Sequence, residues 1–160
     1  MPVTSSGKAV VTLPADDQIL ITREFEAPAA LVWRALTEPD LVKRWWAGRR
    51  GEVTSAEIDL RVGGKWRYVM AHGEQEVAFH GEYRELVPAE KIVSTEVFEG
   101  FPDAASVNTM TLVEEGGRTT LRTLVQHQSR EFRDGHLNSG MEGGLQESFD
   151  ALEDVAKSLA

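Results

Sequence analysis

Hydrophobic and polar positions alternate from Gln18 to Phe25, with Ile19, Ile21 and Phe25 set against Gln18, Thr22 and Glu24, and only Arg23 interrupts the pattern. Such alternation predicts a half-buried strand. Ahead of it, the polar stretch Thr4–Gly7 reads as a frayed terminus and Lys8–Leu13 as a candidate edge strand, closed by a turn at Pro14–Asp17. Pro28 suits the first turn of a helix, where its missing N–H costs nothing, and Leu31, Val32, Ala35 and Leu36 follow at helical spacing. Thr37 and Asp40 have capping-box spacing, which predicts a second short helix carrying Leu41, Val42, Trp45 and Trp46 and ending at Gly48 and Gly51.

The middle of the chain predicts a run of strands separated by residues that tolerate positive φ. Val53–Val62 turns at Gly63–Gly64 into Lys65–His72, and Gly73–Glu74 leads to Val77–Val87. Pro88–Ala89–Glu90 leads to Lys91–Glu99, and after the loop Gly100–Ser106 the strand Val107–Glu114 turns at Gly116–Gly117 into Arg118–His127. Connections this short leave no room for crossover helices, so the sheet is an antiparallel meander. The period then changes. Ser139 and Glu142 again have capping-box spacing, and Met141, Leu145, Phe149, Leu152, Ala156 and Leu159 form one stripe of an amphipathic helix. It is the only predicted element long enough to cover the apolar face of the sheet. The fold class is therefore α+β, with a curved antiparallel sheet, a long C-terminal helix, and two short helices after the first strand. Residues 1–17 are read as an extension and 18–160 as one domain.

A chain of 160 residues can bury roughly 70% of the surface its unfolded form exposes, so it needs no staples. The chain has no cysteine, which excludes disulfides, thiolate nucleophiles and zinc–thiolate sites and suits a reducing compartment. Its apolar runs are too short for a membrane span or a secretion signal, and a cytoplasmic location is expected. The net charge of −9 argues against sequence-independent binding of nucleic acid or anionic lipid. One basic cluster, Lys43, Arg44, Arg49 and Arg50, is either a solvated helix end or a cationic rim at a pocket mouth.

Trp33, Trp45, Trp46, Trp66, Tyr68, Phe79 and Tyr83 are candidates to line a pocket, with Met70, Met110 and Met141 as adaptable filler and Leu112, Leu121, Leu145 and Phe149 beside them. The same set also suits a packed core. Trp66, Tyr68 and Met70 share one strand face, and Lys65, Arg67 and Val69 share the other. Arg67, His80 and Glu82 are candidates to orient a ligand. His80, Glu82 and His127 form a conceivable three-ligand metal set, but no helical His pair or Cys supports it and no metal or cofactor is expected. No Ser sits in a nucleophile-elbow pattern. Gly140, Gly143 and Gly144 in the first turns of the long helix each cost about 1 kcal/mol relative to Ala, which suggests either close approach to a ligand or sheet, or a frayed start.

Ala27–Pro28, Val32–Thr37, Pro39, Leu41 and Arg44–Trp46 resemble the opening of the bacterial homologues of the heat-shock-protein-90 ATPase activator. The resemblance continues in Asp59–Trp66, Phe79–Glu82, Pro88 with Glu90, and Gly140–Gly144, so it spans about Gln18 to Leu159. It implies the START-like, helix-grip fold, whose members include lipid carriers, hormone receptors and polyketide cyclases. A cavity is thus expected, and with it a small apolar or amphipathic ligand, in stress response or detoxification. A heat-shock ATPase partner and a cyclase- or hydrolase-type activity are the alternatives. The eukaryotic activators carry an additional N-terminal domain, for which residues 1–17 are too few. Where many relatives carry Trp after the glycine pair of the last helix, this chain has Leu145.

Overall fold

The computed structural model describes residues 8–48 and 51–160. The predicted N-terminal fraying at Thr4–Gly7 and the residues Arg49 and Arg50 lie outside them. Strand β1 (Val10–Thr12) is followed by β2 (Gln18–Phe25), helices α1 (Ala29–Thr37) and α2 (Pro39–Val42), and β3 (Glu52–Ile58). Strands β4 (Lys65–His72), β5 (Gln75–Val87), β6 (Lys91–Phe98), β7 (Ser106–Glu115) and β8 (Arg118–Gln126) complete the sheet, with one 3₁₀ turn at Pro102–Ala104 before β7. Two helices close the chain, α3 (Arg130–Leu137) and α4 (Met141–Ser158).

Among the described residues the strands form one antiparallel sheet in the order β1-β2-β8-β7-β6-β5-β4-β3. Strands β3 to β8 are neighbours in sequence order, as short hairpins require. The long-range step is β2 on β8, with eight residue pairs from Gln18↔Gln126 to Phe25↔Thr119. Register shifts between Val53 and Ser55 and between Tyr83 and Glu85 bend the sheet. Gly81 sits in the bent part of β5, where a Cβ would come within 1.8 Å of the Thr95 carbonyl and 2.6 Å of the Trp66 indole nitrogen.

Helix α4 lies across the concave face in two unlike halves. Its buried residues, Phe149, Leu152, Val155 and Ala156, begin only at Phe149, midway along the helix. They pack with Ile19, Ile21 and Phe25 of β2, Leu121 and Val125 of β8, and Val32, Ala35 and Leu36 of α1 into one core. Each large side chain buried there is worth about 1.5–3 kcal/mol. The part ahead of Phe149, Met141–Ser148, holds no buried residue. It is secured at its flanks instead: Gln146 exchanges two hydrogen bonds with the backbone of Ala9 (3.0 and 2.8 Å), and Ser148 Oγ donates to the Trp46 carbonyl (2.9 Å). Gly48, at φ 60°, brings the loop after α2 so close that a Cβ would lie 3.0 Å from the Glu147 Cβ.

Both predicted capping boxes are absent. Thr37 belongs to the last turn of α1, and its hydroxyl donates to the Trp33 carbonyl (2.7 Å); α2 starts at Pro39 and stops at Val42, leaving Trp45 and Trp46 in the turns beyond it. Likewise Ser139 Oγ donates back to the His136 carbonyl (2.6 Å), and α4 begins after Gly140 at φ 84°.

Candidate functional site

The first half of α4 stands off the sheet, and the space beneath it is an inner cavity of about 530 Å³. The alternation of β4 and β5 directs Trp66, Tyr68 and Met70, and Phe79 and Tyr83, onto its wall. Trp45 and Trp46 close it from the α2 side, Met110 from β7, and Met141, Leu145 and Phe149 from α4. The rings interlock: Trp46 meets Tyr68 and Phe79 edge-on at 5.4 and 5.0 Å, and Trp66 meets Tyr68 at 4.7 Å. A second, outer chamber of about 740 Å³ lies between β6, the 3₁₀ turn and α3. The two adjoin, sharing Phe79, Glu96, His136, Ser139 and Met141 as wall. Phe98 and Phe101, both substantially exposed, flank the outer chamber, where Phe98 stacks on Phe79 at 5.1 Å and Phe101 meets Phe132 edge-on at 5.7 Å.

Polar groups are few and placed on alternate wall positions. Asn108 Nδ2 donates to Glu96 Oε1 (3.0 Å), and Ser106 Oγ donates to Asn108 Oδ1 (3.3 Å). Burial pushes the Glu96 carboxyl above its ordinary pKa, while the Asn108 hydrogen bond works in the opposite direction. Burial, with Tyr83 and Glu96 close by, holds the Tyr68 hydroxyl well above the usual range, and burial raises Tyr83 to about 12. Trp66 Nε1 and Thr123 Oγ, both on inner-cavity residues, have no protein hydrogen-bond partner. Unpaired buried polar atoms are costly, so both atoms are open to a hydrogen-bonding partner from outside the protein. Between β8 and α3, His127 Nε2 and His136 Nδ1 share a hydrogen bond of 3.0 Å. Burial lowers both imidazoles, His136 to about 4, so the pair is neutral at physiological pH, with one ring donating and the other accepting.

Residues 26–157 match the family described as activator of Hsp90 ATPase homolog 1-like protein. The chain belongs to this family. Its fold recurs in the solved structure of a Rhodobacter sphaeroides protein, with TM-score 0.88 and 22% identity over 94% of this chain and 99% of that one. A Nitrosomonas europaea protein gives TM-score 0.83 at 24% identity over 92% and 98% of the two chains. An AHSA1-like protein from Aeromonas hydrophila gives 0.68 at 21% identity over 88% and 93%. At these identities the likeness is one of fold, the helix-grip arrangement of curved sheet and long C-terminal helix. No curated protein matches the chain.

Against this family frame, several expected cavity residues are displaced. Trp33 is partly buried on the outside of the core, and Leu112 and Leu121 are packed within it, so none of the three lines the cavity. His80 and Glu82 face outward, because strict alternation on β5 cannot turn them inward together with Phe79 and Tyr83. Arg67 is on the same outer face. Its guanidinium makes a bidentate pair with Glu99 (2.8 and 2.9 Å), His80 Nδ1 lies 2.8 Å from the same carboxylate, and these partners hold Glu99 down to about 2. His80 and His127 thus lie on opposite faces, and the conceived metal set does not converge. Lys43 and Arg44 are exposed and do not line either space. The sequence reading missed Ser94, Glu96, Asn108 and Thr123, although Glu96 and Asn108 sit at inward positions of apolar strands, and that mismatch was the available signal.

Proposed function

We propose that this protein binds a small apolar or amphipathic molecule in the inner cavity. The observation that carries the reading is the open space under the first half of α4, whose aromatic wall contains Trp66 Nε1 and Thr123 Oγ without protein partners. Aromatic and thioether side chains supply the burial, and a few fixed polar atoms orient the guest. Neither half of α4 would serve alone: the packed half fixes the helix, and the raised half leaves room. Stress response or detoxification, in the cytoplasm, is the setting that suits such a carrier.

Phenylbutanol is a suitable first probe. It should quench or shift tryptophan emission and raise the unfolding midpoint in step with RT ln(1 + [L]/Kd). Leu145→Trp fills the same space, so it should weaken probe binding by about tenfold or more, whereas in a solid core the substitution would overpack and destabilise by about 1–3 kcal/mol with no binding to lose. A folded wild type that binds no probe would reject the reading. The family description would then favour a heat-shock ATPase as partner, testable by co-sedimentation.

A further inference from the structure

Resting on the cavity reading, the next question is the chemistry of the guest's polar end. Among the described residues that line the two spaces there is no Lys or Arg; the ionisable groups are Glu96, Glu131, His127, His136, Tyr68 and Tyr83. The two histidines share one hydrogen bond and are kept neutral by burial, His127 Nδ1 remaining without a protein partner, and the two tyrosines stay protonated, so the fixed charge of the wall is carboxylate alone. An anionic guest would be desolvated there without a counterion, which is strongly unfavourable. A cationic one brings the missing partner.

Glu96 is placed for that role. It lies where the inner cavity meets the outer chamber, and Asn108 is the neighbour that holds it in place. Two residues along the same face of β6 is Phe98, stacked on Phe79, so aromatic side chains adjoin the position beside Glu96. We propose that the guest is an amphipathic organic amine, its ammonium group paired with Glu96 and its apolar body lying inward between Phe79, Trp46 and Met141. Thr123 Oγ, buried and without a protein partner, lines the far part of the same cavity. By register Thr123 faces Met110, and Met110 faces Ile92, four residues from Glu96 on β6, so Thr123 lies about 13 Å along the strand direction and two strands, about 10 Å, across the sheet from Glu96, or about 16 Å in all. A second hydrogen-bonding group at that remove from the amine would complete the fit. Burial has raised the Glu96 pKa, which is the mark of a carboxylate short of a counterion.

The test compares three probes that differ only in the head group, phenylbutylamine, phenylbutanol and phenylbutanoate, by calorimetric titration at neutral pH. The wild type should bind the amine about tenfold or more tighter than the alcohol, and the acid weakest. Glu96→Gln should cut the amine preference to about twofold, while Glu99→Gln on the outer face leaves it intact. If Glu96→Gln does not fold, Glu96→Asp, which withdraws the carboxylate by one methylene, should weaken the amine more than the alcohol. Equal binding of amine and alcohol by the wild type, or a preference that survives Glu96→Gln, would overturn the inference and leave the cavity reading standing. No binding by any of the three would overturn both.

Discussion

Arg23 occupies an inward position of β2 between Ile21 and Phe25 and is fully buried. Its guanidinium is met by Glu153 (3.2 Å) and Asp150 (3.3 Å) from α4 and lies 4.7 Å over the Phe25 ring, while the second Glu153 oxygen accepts from the Glu26 N–H (2.9 Å). A lone break in a hydrophobic alternation is thus a charge-mediated fastening of sheet to helix. Arg23→Ala leaves a cavity and strips the carboxylates of their cation, and should cost about 3–5 kcal/mol in urea unfolding. An unchanged midpoint would contradict the fastening. The sequence located this residue without its partners, which come from about 130 positions further along the chain. His80 and Glu82 teach the converse: the rule that excludes them from the cavity, alternation beside Phe79 and Tyr83, was available from the residues alone.

At the level of elements, strands were legible from their alternation and from the tight turns that join β3 to β4, β4 to β5, β5 to β6 and β7 to β8: β2 and β4 fall on the predicted bounds, and the others shift by a few residues. Helix ends were less so, because a Ser or Thr followed by an acid can close the helix behind it as readily as open the one ahead. Thr37 and Ser139 both do the former. Helix α3 was not foreseen at all. Its stripe is short, Gly135 sits inside it, and its real start signal is Ser129, whose Oγ accepts from the Phe132 N–H (3.1 Å). The helix is joined to β8 by the His127–His136 hydrogen bond. Folding lowers the His136 pKa from 6.5 to about 4, so between those values the unfolded chain binds more protons. Stability carried by this pair is therefore complete above about pH 6.5 and is lost as pH falls toward about 4, by about 1–3 kcal/mol. Glu96, raised by burial, works in the opposite sense. Comparing urea unfolding at several pH values in wild type and His136→Phe isolates the effect: the variant should show the flatter profile, and identical profiles would refute the assignment.

For the whole molecule, the order of elements was enough to imply a curved sheet closed by its last helix, since only that helix is long enough to cover it. How far the helix stands from the sheet was not implied. That distance is set jointly by the Arg23 fastening at Asp150 and Glu153, the Gln146–Ala9 and Ser148–Trp46 contacts just ahead of them, and the bulk of the aromatic rings beneath. The inward positions of Glu96 and Asn108 were legible from alternation, but their pairing was not, because they become neighbours only once β6 and β7 pair. The four tryptophans now offer a built-in reporter, as Trp45, Trp46 and Trp66 line the inner cavity and Trp33 does not. In a two-dimensional nitrogen–proton correlation spectrum of the indole N–H groups, titrated with phenylbutanol, the signals of Trp46 and Trp66 should move in a saturable way. The Trp66 N–H, which has no protein partner, should move most. Trp33 should stay in place. Indole signals that do not respond, or a Trp33 signal that moves as far as that of Trp66, would contradict an internal ligand site.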